Sequence, residues 1–316
     1  MPTTLFIDGH SGTIGLRIRD ILASHNSVSV LQIPEKHRKD PSARRDFLNS
    51  CDVAILCLPD EASVESVSFI ENPQVRIIDG STAFRVSDDW VYGLPELSSN
   101  QRDAIHKASR VSNPGCWATA VNLLTRPLVS QAIVPPDIAL SIHGVSGYTG
   151  GGKAAIQRWE SDTTGLINLS HEAPYALDEV HKHIPEIQLH GLLRTDPYFS
   201  PAIGAFARGM RVQIPLHALQ LNDGVTSETI RNAYESAYAG ECFVRVVPQA
   251  EDSPINETTF DPQACNNTNN VLIHVIAQPS GHVLLMAILD NLGKGASGAA
   301  VQSLNLMLGL EEECGL

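Results

Sequence analysis

The stretch LFIDGHSGTIG, residues 5–15, decides the fold because it joins an apolar run to a glycine-rich turn and the start of a helical pattern. Residues 5–8 predict a buried strand, and residues 14–24 have the apolar spacing of a helix. The three glycines allow a tight turn, and the free N–H groups at the start of the helix favour a pyrophosphate. The spacing is G-x-x-G-x-x-G instead of the usual G-x-G-x-x-G. The turn alone therefore also fits a strand-to-helix connection that binds nothing.

The next segments continue the alternation of strands and helices. We predict strands at residues 28–33, 53–58 and 76–79 and a short helix at residues 43–48. This alternation is typical of a parallel sheet that is covered on both faces.

The pattern changes after a predicted helix at residues 117–131. Long strands rich in β-branched residues follow at residues 138–145, 210–216, 242–247, 271–277 and 282–289. One helical stretch separates them, residues 227–238, and a last helix is predicted at residues 296–308. The fold class is therefore α/β: a Rossmann-type, doubly wound parallel sheet plus an α+β catalytic domain with a mixed, mostly antiparallel sheet.

The composition limits the classes of partner. The 316 residues carry 22 Lys and Arg against 35 Asp and Glu, a formal net charge of −13. Such an acidic chain is not typical of proteins that bind nucleic acid or anionic membranes. No apolar run is long enough to span a bilayer, and no leader pattern precedes the first strand. The six cysteines form no C-x-x-C pair, which favours reduced thiols in a cytoplasmic enzyme and predicts no metal site.

The end of the second predicted strand indicates which dinucleotide binds. NAD-binding proteins place an acidic residue there for the ribose 2′-hydroxyl. In this chain residues 35–39, EKHRK, set one acid among three permanent cations and a histidine. A 2′-phosphate suits these charges, so we predict NADP, with Lys36 and Arg38 as contacts. A solvated basic loop is the alternative interpretation.

The most informative stretch for chemistry is NPGCWATA, residues 113–120. Pro and Gly favour a turn, and the residues after Cys116 have helical character, so Cys116 is predicted to lie at a helix N-terminus. The helix dipole and free N–H groups there stabilise a thiolate and can hold an oxyanion. Most cysteines are small buried hydrophobes, which describes Cys51 and Cys57 well and Cys116 poorly.

Two further segments offer polar groups for such a thiolate. HKHIPEI, residues 181–187, supplies two histidines that can exchange a proton near neutral pH, and Glu186 is placed to orient one ring. The glycine-rich run at residues 143–153 could cradle a phosphate or carboxylate, and Arg208 could bind the same anions. A flexible loop and a surface arginine are the alternatives.

A nicotinamide cofactor and a cysteine nucleophile together imply a short list of reactions. Attack of the thiolate on an acyl phosphate expels phosphate and leaves a thioester, and hydride transfer from NADPH then releases an aldehyde. The reverse direction is the phosphorylating oxidation of an aldehyde.

Several motifs, in this order, resemble those of the N-acetyl-gamma-glutamyl-phosphate reductases in their shorter form. The resemblance runs from Leu5 to Leu308. It rests on the Gly9–Gly15 loop, IDGSTAFR (78–85), YGLPE (92–96), NPGC (113–116), VSG (145–147), HKHIPEI (181–187), FARG (206–209) and DNLGKGASG (290–298). The longer form usually has Tyr-Pro after Asn-Pro-Gly-Cys, whereas this chain has Trp117-Ala118 and a reduced segment after the second strand.

The resemblance implies roles for individual residues. Cys116 would be the nucleophile and His181 the acid–base, with Glu186 as a further catalytic group. The implied substrate contacts are Arg85, Asn113, Ser146, Gly147, Tyr175, His183 and Arg208. The implied NADP(H) contacts are Gly9, Ser11, Gly12, Thr13, Ile14 and Gly15, together with Asn291 and Lys294.

The resemblance also implies an activity, a division into domains and an assembly. The reaction would be the NADPH-dependent conversion of N-acetyl-L-glutamyl 5-phosphate to the 5-semialdehyde and phosphate, in arginine biosynthesis. Residues 1–116 would form the NADP-binding domain, to which the C-terminal helix at residues 295–316 returns. Residues 117–294 would form the catalytic and dimerisation domain of a homodimer or homotetramer.

Three alternatives remain open. An aspartate-semialdehyde dehydrogenase shares the expected fold and chemistry, but residues 181–186 and 92–96 disfavour it. An enzyme for the longer aminoadipyl phosphate is not excluded by any motif, because one methylene in a pocket contributes only about 1–3 kcal/mol. A non-catalytic NADP sensor needs none of Cys116, His181, Glu186 and Arg208.

Overall fold

The computed structural model describes residues 2–23, 25–248 and 255–316. The helices and strands in chain order are β1 (Thr3–Asp8), α1 (Thr13–Leu22), β2 (Val28–Leu31), α2 (Pro41–Ser50), β3 (Val53–Leu56), α3 (Asp60–Phe69), β4 (Arg76–Asp79), β5 (Val91–Tyr92), α4 (Gln101–Lys107), β6 (Arg110–Ser112), α5 (Cys116–Ser130), β7 (Ser141–Gly147), α6 (Gly152–Trp159), β8 (Ala173–Pro174), α7 (Ile184–His190), β9 (Tyr198–Gly204), β10 (Met210–Leu216), α8 (Ser227–Ala237), β11 (Val244–Val246), β12 (Val271–Ala277), β13 (Val283–Leu289) and α9 (Gly298–Met307). A π-helical turn, Gly293–Ser297, leads into α9. Ser24, at the end of the first predicted helix, lies outside the described residues.

The chain divides into two compact units. Unit 1 comprises Met1–Gly115 and Ala296–Leu316, and unit 2 comprises Cys116–Gly295.

The sheet of unit 1 is parallel throughout its described strands. Its order is β2-β1-β3-β4-β6-β5. The connection after β1 leads to β2 on one side, whereas the connection after β3 leads to β4 on the other side, so the direction of the connections reverses between β1 and β3. Ligands of such sheets bind beyond the carboxyl ends of the strands at this point.

Helices cover both faces of the unit 1 sheet. Side chains alternate along a strand, so Leu5 and Ile7 join a cluster with Val301 of α9 on one face. Phe6 joins a second cluster with Leu48 of α2 on the other face. The near-continuous apolar character of β1 therefore follows from burial on both sides.

The sheet of unit 2 is mixed. Its order among the described strands is β11-β12-β13-β10-β7-β9-β8. Strand β10 is antiparallel to both of its neighbours, β13 and β7, whereas β7 and β9 are parallel. The predicted fold class is confirmed.

The first turn of α5 lies directly against β7. A Cβ atom on Gly144 of β7 would lie only 2.3 Å from Cζ3 of Trp117. Glycine is therefore required at position 144, and the indole of Trp117 occupies the space that a side chain there would fill.

Candidate active site

Cys116 is the first residue of α5, a helix of 15 residues. Pro114 and Gly115, directly before it, have no regular secondary structure, and Cys116 is partly exposed. The first N–H groups of a helix have no partner within the helix and carry the positive end of its dipole. This position suits a thiolate and the oxyanion that forms when the thiolate attacks a carbonyl.

The π-helical turn packs closely against Cys116. A Cβ atom on Gly295 would lie 2.8 Å from the Cβ atom of Cys116. The Gly295 N–H donates to the carbonyl oxygen of Asp290 at 3.0 Å. The buried carboxylate of Asp290 in turn accepts the N–H groups of Asn267 and Leu292, each at 2.9 Å. This network holds a glycine against the cysteine and leaves no room for a larger residue.

A chain of hydrogen bonds starts at Trp117, the second residue of α5. Trp117 Nε1–H donates to Tyr175 Oη at 3.0 Å, and Tyr175 Oη lies 3.3 Å from His181 Nε2. Phe199 of β9 packs edge-on against the rings of Trp117 and His181, with centroid distances of 5.3 and 5.1 Å. The structure thus brings together two predicted site residues, Tyr175 and His181.

His181 is buried and neutral at neutral pH. Burial, and next the charge of Lys182, lower the pKa of His181 to about 4. Its Nδ1 atom accepts the backbone N–H of His183 at 3.1 Å. Since an accepting nitrogen carries no proton, the neutral ring holds its proton on Nε2. We therefore assign His181 as a hydrogen-bond donor toward Tyr175.

Tyr175 keeps its proton at neutral pH. Burial raises the pKa of its hydroxyl, and the charge of Cys116 raises it further, while the bond from Trp117 acts in the opposite direction. The phenol is therefore a proton-bearing group within electrostatic reach of the cysteine.

His183 and Glu186 are also buried, with 6% and 2% of their surface exposed. The His183 ring lies edge-on to His181 at a centroid distance of 4.9 Å. Glu186 lies in the first turn of α7, which begins directly after His183. The predicted HKHIPEI segment thus brings two imidazoles together and buries a carboxylate close by in the chain.

The end of β7 is fixed to the segment before β10. The Gly147 N–H donates to the Gly209 carbonyl oxygen at 2.8 Å, and a Cβ atom on Gly147 would lie 2.4 Å from the Ala207 oxygen. The Asn291 side chain joins the same region: its Oδ1 accepts the Gly209 N–H at 2.9 Å and its Nδ2 donates to Thr149 Oγ1 at 3.2 Å. Gly147 and Asn291 therefore belong to one rigid polar cluster of unit 2.

Three other predicted residues of unit 2 differ in their exposure. Ser146 is buried at the end of β7. Arg208 is half-buried and donates to Asn267 Oδ1 at 2.8 Å. Lys294 is fully buried, with its ammonium 5.6 Å from the centroid of the Phe243 ring. Asn291 and Lys294, both predicted cofactor contacts, thus lie inside unit 2.

The glycine loop of unit 1 follows β1, one of the two strands between which the direction of the connections reverses. Gly9 has a φ of +86°, and a Cβ atom there would lie 2.3 Å from the Cys57 carbonyl oxygen. The Gly12 N–H donates to the Gly9 oxygen at 2.9 Å, and a Cβ on Gly15 would lie 2.5 Å from the same oxygen. Helix α1 begins at Thr13. Ser11, Gly12, Thr13 and Ile14 therefore surround a helix N-terminus that can receive a phosphate.

A cavity of about 210 Å³ opens beside this loop. Its described lining comprises Asp8, Gly9, His10, Ser11, Arg38, Lys39, Arg44, Leu58 and Ala62. Arg44 donates to the buried carboxylate of Asp8 at 3.1 Å and to Glu65 at 2.8 Å, and Arg38 pairs with Glu35. Lys36 is exposed and is not among these lining residues. The sequence pattern pointed to Lys36 and Arg38, and missed Arg44 because it lies inside helix α2.

Arg85 and Asn113 are buried in unit 1. The Arg85 guanidinium donates to the carbonyl oxygens of Asn113 and Gly80 at 2.9 and 3.0 Å. The Asn113 amide donates to the Ala296 carbonyl oxygen at 3.0 Å. Its Oδ1 is buried without a hydrogen-bond partner in the part of the chain that the structure describes. Arg85 thus supports the backbone before Cys116, and Asn113 offers an unsatisfied acceptor.

Two sequence profiles match the two units. The profile described as "Semialdehyde dehydrogenase, NAD binding domain" matches residues 5–108, and "Semialdehyde dehydrogenase, dimerisation domain" matches residues 116–291. The chain belongs to the semialdehyde dehydrogenase family. As a semialdehyde dehydrogenase family member it is an oxidoreductase that uses a nicotinamide cofactor.

Relatives of nearly the same length indicate which members of the family this chain resembles. The N-acetyl-gamma-glutamyl-phosphate reductase of Burkholderia cenocepacia is 47% identical over 307 residues, which cover 97% of each chain. N-acetyl-gamma-glutamyl-phosphate reductase 2 of Pseudomonas putida is 45% identical over 306 residues, 96% of each chain. The predicted family resemblance is confirmed.

Solved structures share the fold at much lower identity. Aspartate semialdehyde dehydrogenase from Francisella tularensis matches with a TM-score of 0.72 and 16% identity, over 97% of this chain and 100% of that one. At this identity the likeness bears on the semialdehyde dehydrogenase fold alone.

A further feature of this semialdehyde dehydrogenase family member is a cavity of about 520 Å³ on unit 2. It is lined by Arg211 and Gln213 among others, and of the predicted glycine-rich run 143–153 it includes His143, Gly144 and Val145. Among the residues described, no helix has the length and apolar character needed to cross a membrane. No group of three or more potential ligands in those residues could hold a metal ion.

The sequence pattern gives no role beside Cys116 to Trp117, Phe199 or Gly295. Trp117 follows Cys116 directly, and this is the only signal that could have pointed to it. Phe199 and Gly295 reach the site through β9 and the π-helical turn, and neither element is predicted by hydrophobic periodicity.

Proposed function

We propose that the chain catalyses the NADPH-dependent reductive dephosphorylation of N-acetyl-L-glutamyl 5-phosphate to N-acetyl-L-glutamate 5-semialdehyde and phosphate, a step of arginine biosynthesis. The observation that carries the proposal is Cys116 at the N-terminus of α5, next to the Trp117–Tyr175–His181 chain of hydrogen bonds. This arrangement occurs in a chain that is 45–47% identical, over nearly its whole length, to reductases named for this substrate.

Cys116 acts as the nucleophile. Its thiolate attacks the acyl carbon, the bond from that carbon to the phosphate oxygen breaks, and phosphate leaves. The N–H groups at the positive end of the α5 dipole stabilise the oxyanion of the tetrahedral intermediate. The product of this half-reaction is a thioester on Cys116.

The buried polar groups of unit 2 serve the same centre. His181 enters the reaction as a neutral ring whose Nε2–H points to Tyr175, so in the resting geometry it donates a hydrogen bond there. We assign His183, whose ring lies edge-on to His181, to substrate binding and the buried carboxylate Glu186 as a further catalytic group. We assign His181 as the acid–base of this centre, with Tyr175 as its hydrogen-bond partner.

Anionic parts of the substrate require cations and polar donors. Arg208 is half-buried and presents a guanidinium that suits a carboxylate or phosphate. Ser146 and Gly147 lie in the adjoining polar cluster, and we assign all three to substrate binding. Arg85 and Asn113 belong to the same proposal, with Asn113 Oδ1 as an acceptor for a substrate N–H group.

The cofactor is NADP(H), which supplies the hydride that reduces the thioester. Gly9, Ser11, Gly12, Thr13, Ile14 and Gly15 would hold its pyrophosphate. The cavity beside them carries Arg38, Lys39 and Arg44, which fit a 2′-phosphate better than a ribose 2′-hydroxyl. Lys36 remains proposed as a longer-range cation, and Asn291 and Lys294 as contacts from unit 2.

We also propose that the protein is a homo-oligomer of the cytoplasm. The profile over residues 116–291 is described as a dimerisation domain, which supports a homodimer or homotetramer. The cysteines form no disulfide among the described residues, which supports a cytoplasmic enzyme.

The test is phosphate-dependent reduction of NADP by N-acetyl-glutamate 5-semialdehyde. Aspartate semialdehyde and N-acetyl-aminoadipate semialdehyde are compared under the same conditions, with wild type and Cys116→Ser. We expect activity on the first aldehyde that is absent without phosphate and absent in the variant.

Each other outcome has a definite meaning. Activity on another aldehyde alone keeps the thioester mechanism and overturns the substrate. Activity of Cys116→Ser comparable to wild type overturns the nucleophile. Binding of NADPH without activity on any aldehyde overturns the proposed reaction and favours a sensor.

A further inference from the structure

Tyr175 receives two hydrogen bonds at one oxygen. The Trp117 indole is only ever a donor, so the 3.0 Å contact must run from Trp117 Nε1–H to Tyr175 Oη. His181 Nδ1 accepts the His183 N–H at 3.1 Å, which places the proton of the neutral ring on Nε2. The 3.3 Å contact between His181 Nε2 and Tyr175 Oη is therefore also donated to the tyrosine.

This arrangement determines what the Tyr175 hydroxyl can do. A phenol oxygen has two acceptor sites and one proton. With both acceptor sites used by Trp117 and His181, the remaining capacity of the group is its O–H. Two donors on the same oxygen also polarise that O–H and make it a stronger donor.

The group that this O–H can serve is Cys116. Trp117 and Cys116 are neighbours in the first turn of α5, and the indole of Trp117 is held by Gly144 and Phe199. The charge of Cys116 acts on Tyr175, so the two groups lie within electrostatic reach of each other.

We propose that the Tyr175 hydroxyl donates a hydrogen bond to the sulfur of the Cys116 thiolate, and that Trp117 positions this hydroxyl through its indole N–H. No proton is transferred in this step. Tyr175 stabilises the thiolate before attack and again when the sulfur leaves at aldehyde release. The proposal rests on the proposed role of Cys116 as the nucleophile. Trp117 acts through Tyr175 and is a positioning residue.

A purely structural role would have a different signature. The Trp117 ring fills the space beside Gly144, so its replacement could change packing alone. Packing changes alter stability, whereas a lost hydrogen bond to the sulfur alters the pH at which Cys116 becomes a thiolate. The other titratable groups of this cluster are His181, Lys182, His183 and Glu186, together with Lys294 on the turn that packs against Cys116. All of them are left unchanged in the variants below.

The experiment measures the pH dependence of Cys116 alkylation by iodoacetamide in the substrate-free protein. Because the chain has six cysteines, the modified residue is identified by mass spectrometry of peptides. For Tyr175→Phe we expect the midpoint of alkylation to rise by about one pH unit, because a hydrogen bond to the thiolate is lost. For Trp117→Phe, which keeps an aromatic ring, we expect a rise of about half a unit.

Tyr198→Phe is the matched control, because Tyr198 is 64% exposed on β9 and takes no part in the chain of hydrogen bonds. Its midpoint should equal that of wild type. An unchanged midpoint in Tyr175→Phe overturns the hydrogen bond to the sulfur. A normal midpoint in Trp117→Phe, with a raised one in Tyr175→Phe, overturns the positioning role of Trp117.

A second measurement serves if Tyr175→Phe does not fold. Global replacement of the six tyrosines by 3-fluorotyrosine makes each phenol more acidic and a stronger donor. The midpoint should then fall, and an unchanged midpoint overturns the proposal. Alkylation needs no aldehyde or acyl phosphate, so this result is independent of the substrate assays. A protein inactive on every aldehyde with a raised Tyr175→Phe midpoint overturns the function and leaves the hydrogen bond standing.

Discussion

Cys57 and Cys116 show how two cysteines of one chain receive opposite environments. Cys57 directly follows β3, and burial together with the carboxylates of Asp79 and Asp8 raises the pKa of its thiol. Cys116 opens a 15-residue helix and has a tyrosine hydroxyl within electrostatic reach. The first environment opposes a thiolate with negative charge, and the second provides N–H and O–H donors. The reactivity of a cysteine is thus decided by the groups around it.

Removal of each thiol in turn should affect activity very differently at the two positions. Cys116→Ser should lower kcat/KM by on the order of 10⁴-fold or more, because the covalent pathway is lost. Cys57→Ser should stay within about threefold of wild type, since its thiol takes no part. Phosphate-dependent NADP reduction measures both. Equal losses of kcat/KM in the two variants would contradict the assignment of Cys116 alone as the nucleophile.

One titratable group close to each cysteine should change the free energy of unfolding with pH, and the two changes should have opposite signs. The unfolded chain protonates His181 near pH 6.5, whereas the folded protein does so only near pH 4. The unfolded state therefore binds more protons in this window. The free energy of unfolding should fall by about 3 kcal/mol through this group as the pH is lowered from 6.5 to 4.

Asp79, near Cys57, contributes a stability that depends on pH in the opposite direction. Burial raises the pKa of its carboxyl above the unfolded value. The folded state holds the proton more tightly, so this group adds stability as the pH falls and loses it as the pH rises through the folded pKa. Denaturant unfolding between pH 4 and 7 should show that His181→Gln flattens the loss on the acid side and Asp79→Asn does not. A His181→Gln variant with the wild-type pH profile would refute the assignment of a buried neutral ring.

The position of Cys116 can be disturbed without touching its sulfur. Gly295→Ala would place a methyl group 2.8 Å from the Cys116 Cβ atom. We expect kcat to fall by about 10- to 100-fold, since small displacements of a reacting atom have effects of this size. Gly224→Ala is the control, because nothing lies within 4 Å of its added Cβ and only its φ of +78° is strained. Gly224→Ala should lower the thermal stability and leave kcat unchanged. A fall in kcat as large as that of Gly295→Ala would contradict the explanation by close approach to Cys116.

The basic residues of the cavity beside the glycine loop should affect the choice of nucleotide instead of the rate of acylation. Arg38→Ala should lower the preference for NADPH over NADH by about tenfold, because one charged contact to the 2′-phosphate is lost. Arg45→Ala is the matched control, an exposed arginine of α2 that pairs with Glu71 away from the cavity. The ratio of kcat/KM for the two cofactors measures the effect. A preference that is unchanged in Arg38→Ala would remove this residue from the cofactor site.

Regular hydrophobic patterns made much of the fold predictable. The bounds of β4, β10 and β12 agree with the pattern. Strand β10 alternates strictly, β12 is apolar except for one histidine, and β4 has two isoleucines between Arg76 and Asp79. Strand β9 escapes prediction because Pro201 interrupts it, although it lies inside the sheet between β7 and β8. Strand β7 begins at Ser141 instead of residue 138, because Ile138 is held in a turn by a bond to Pro135.

Helices were harder to find than strands. The pattern does not predict α3, in which Ser and Val residues of low helix propensity are stabilised by burial of Ser63, Ser66 and Phe69. Helices α4, α6 and α7 have only seven or eight residues, too few for a clear period.

The site was predictable where it is local in sequence. Residues 113–116 and 181–187 identify the cysteine and the histidines through the turn and helix-start residues around them. The bond from Trp117 to Tyr175 joins positions 58 residues apart, and the contact of Gly295 with Cys116 spans more than half the chain. Such partners depend on the tertiary fold, and no local pattern specifies them.

The contact between Trp117 and Gly144 constrains how this sequence can change during evolution. A side chain at position 144 collides with the indole, and a smaller ring at position 117 leaves a void beside β7. Either change alone is harmful, whereas a smaller residue at 117 makes room for a larger one at 144. The two positions should therefore vary together among relatives. Lineages that kept tryptophan after the cysteine must also have kept glycine on the strand beneath it.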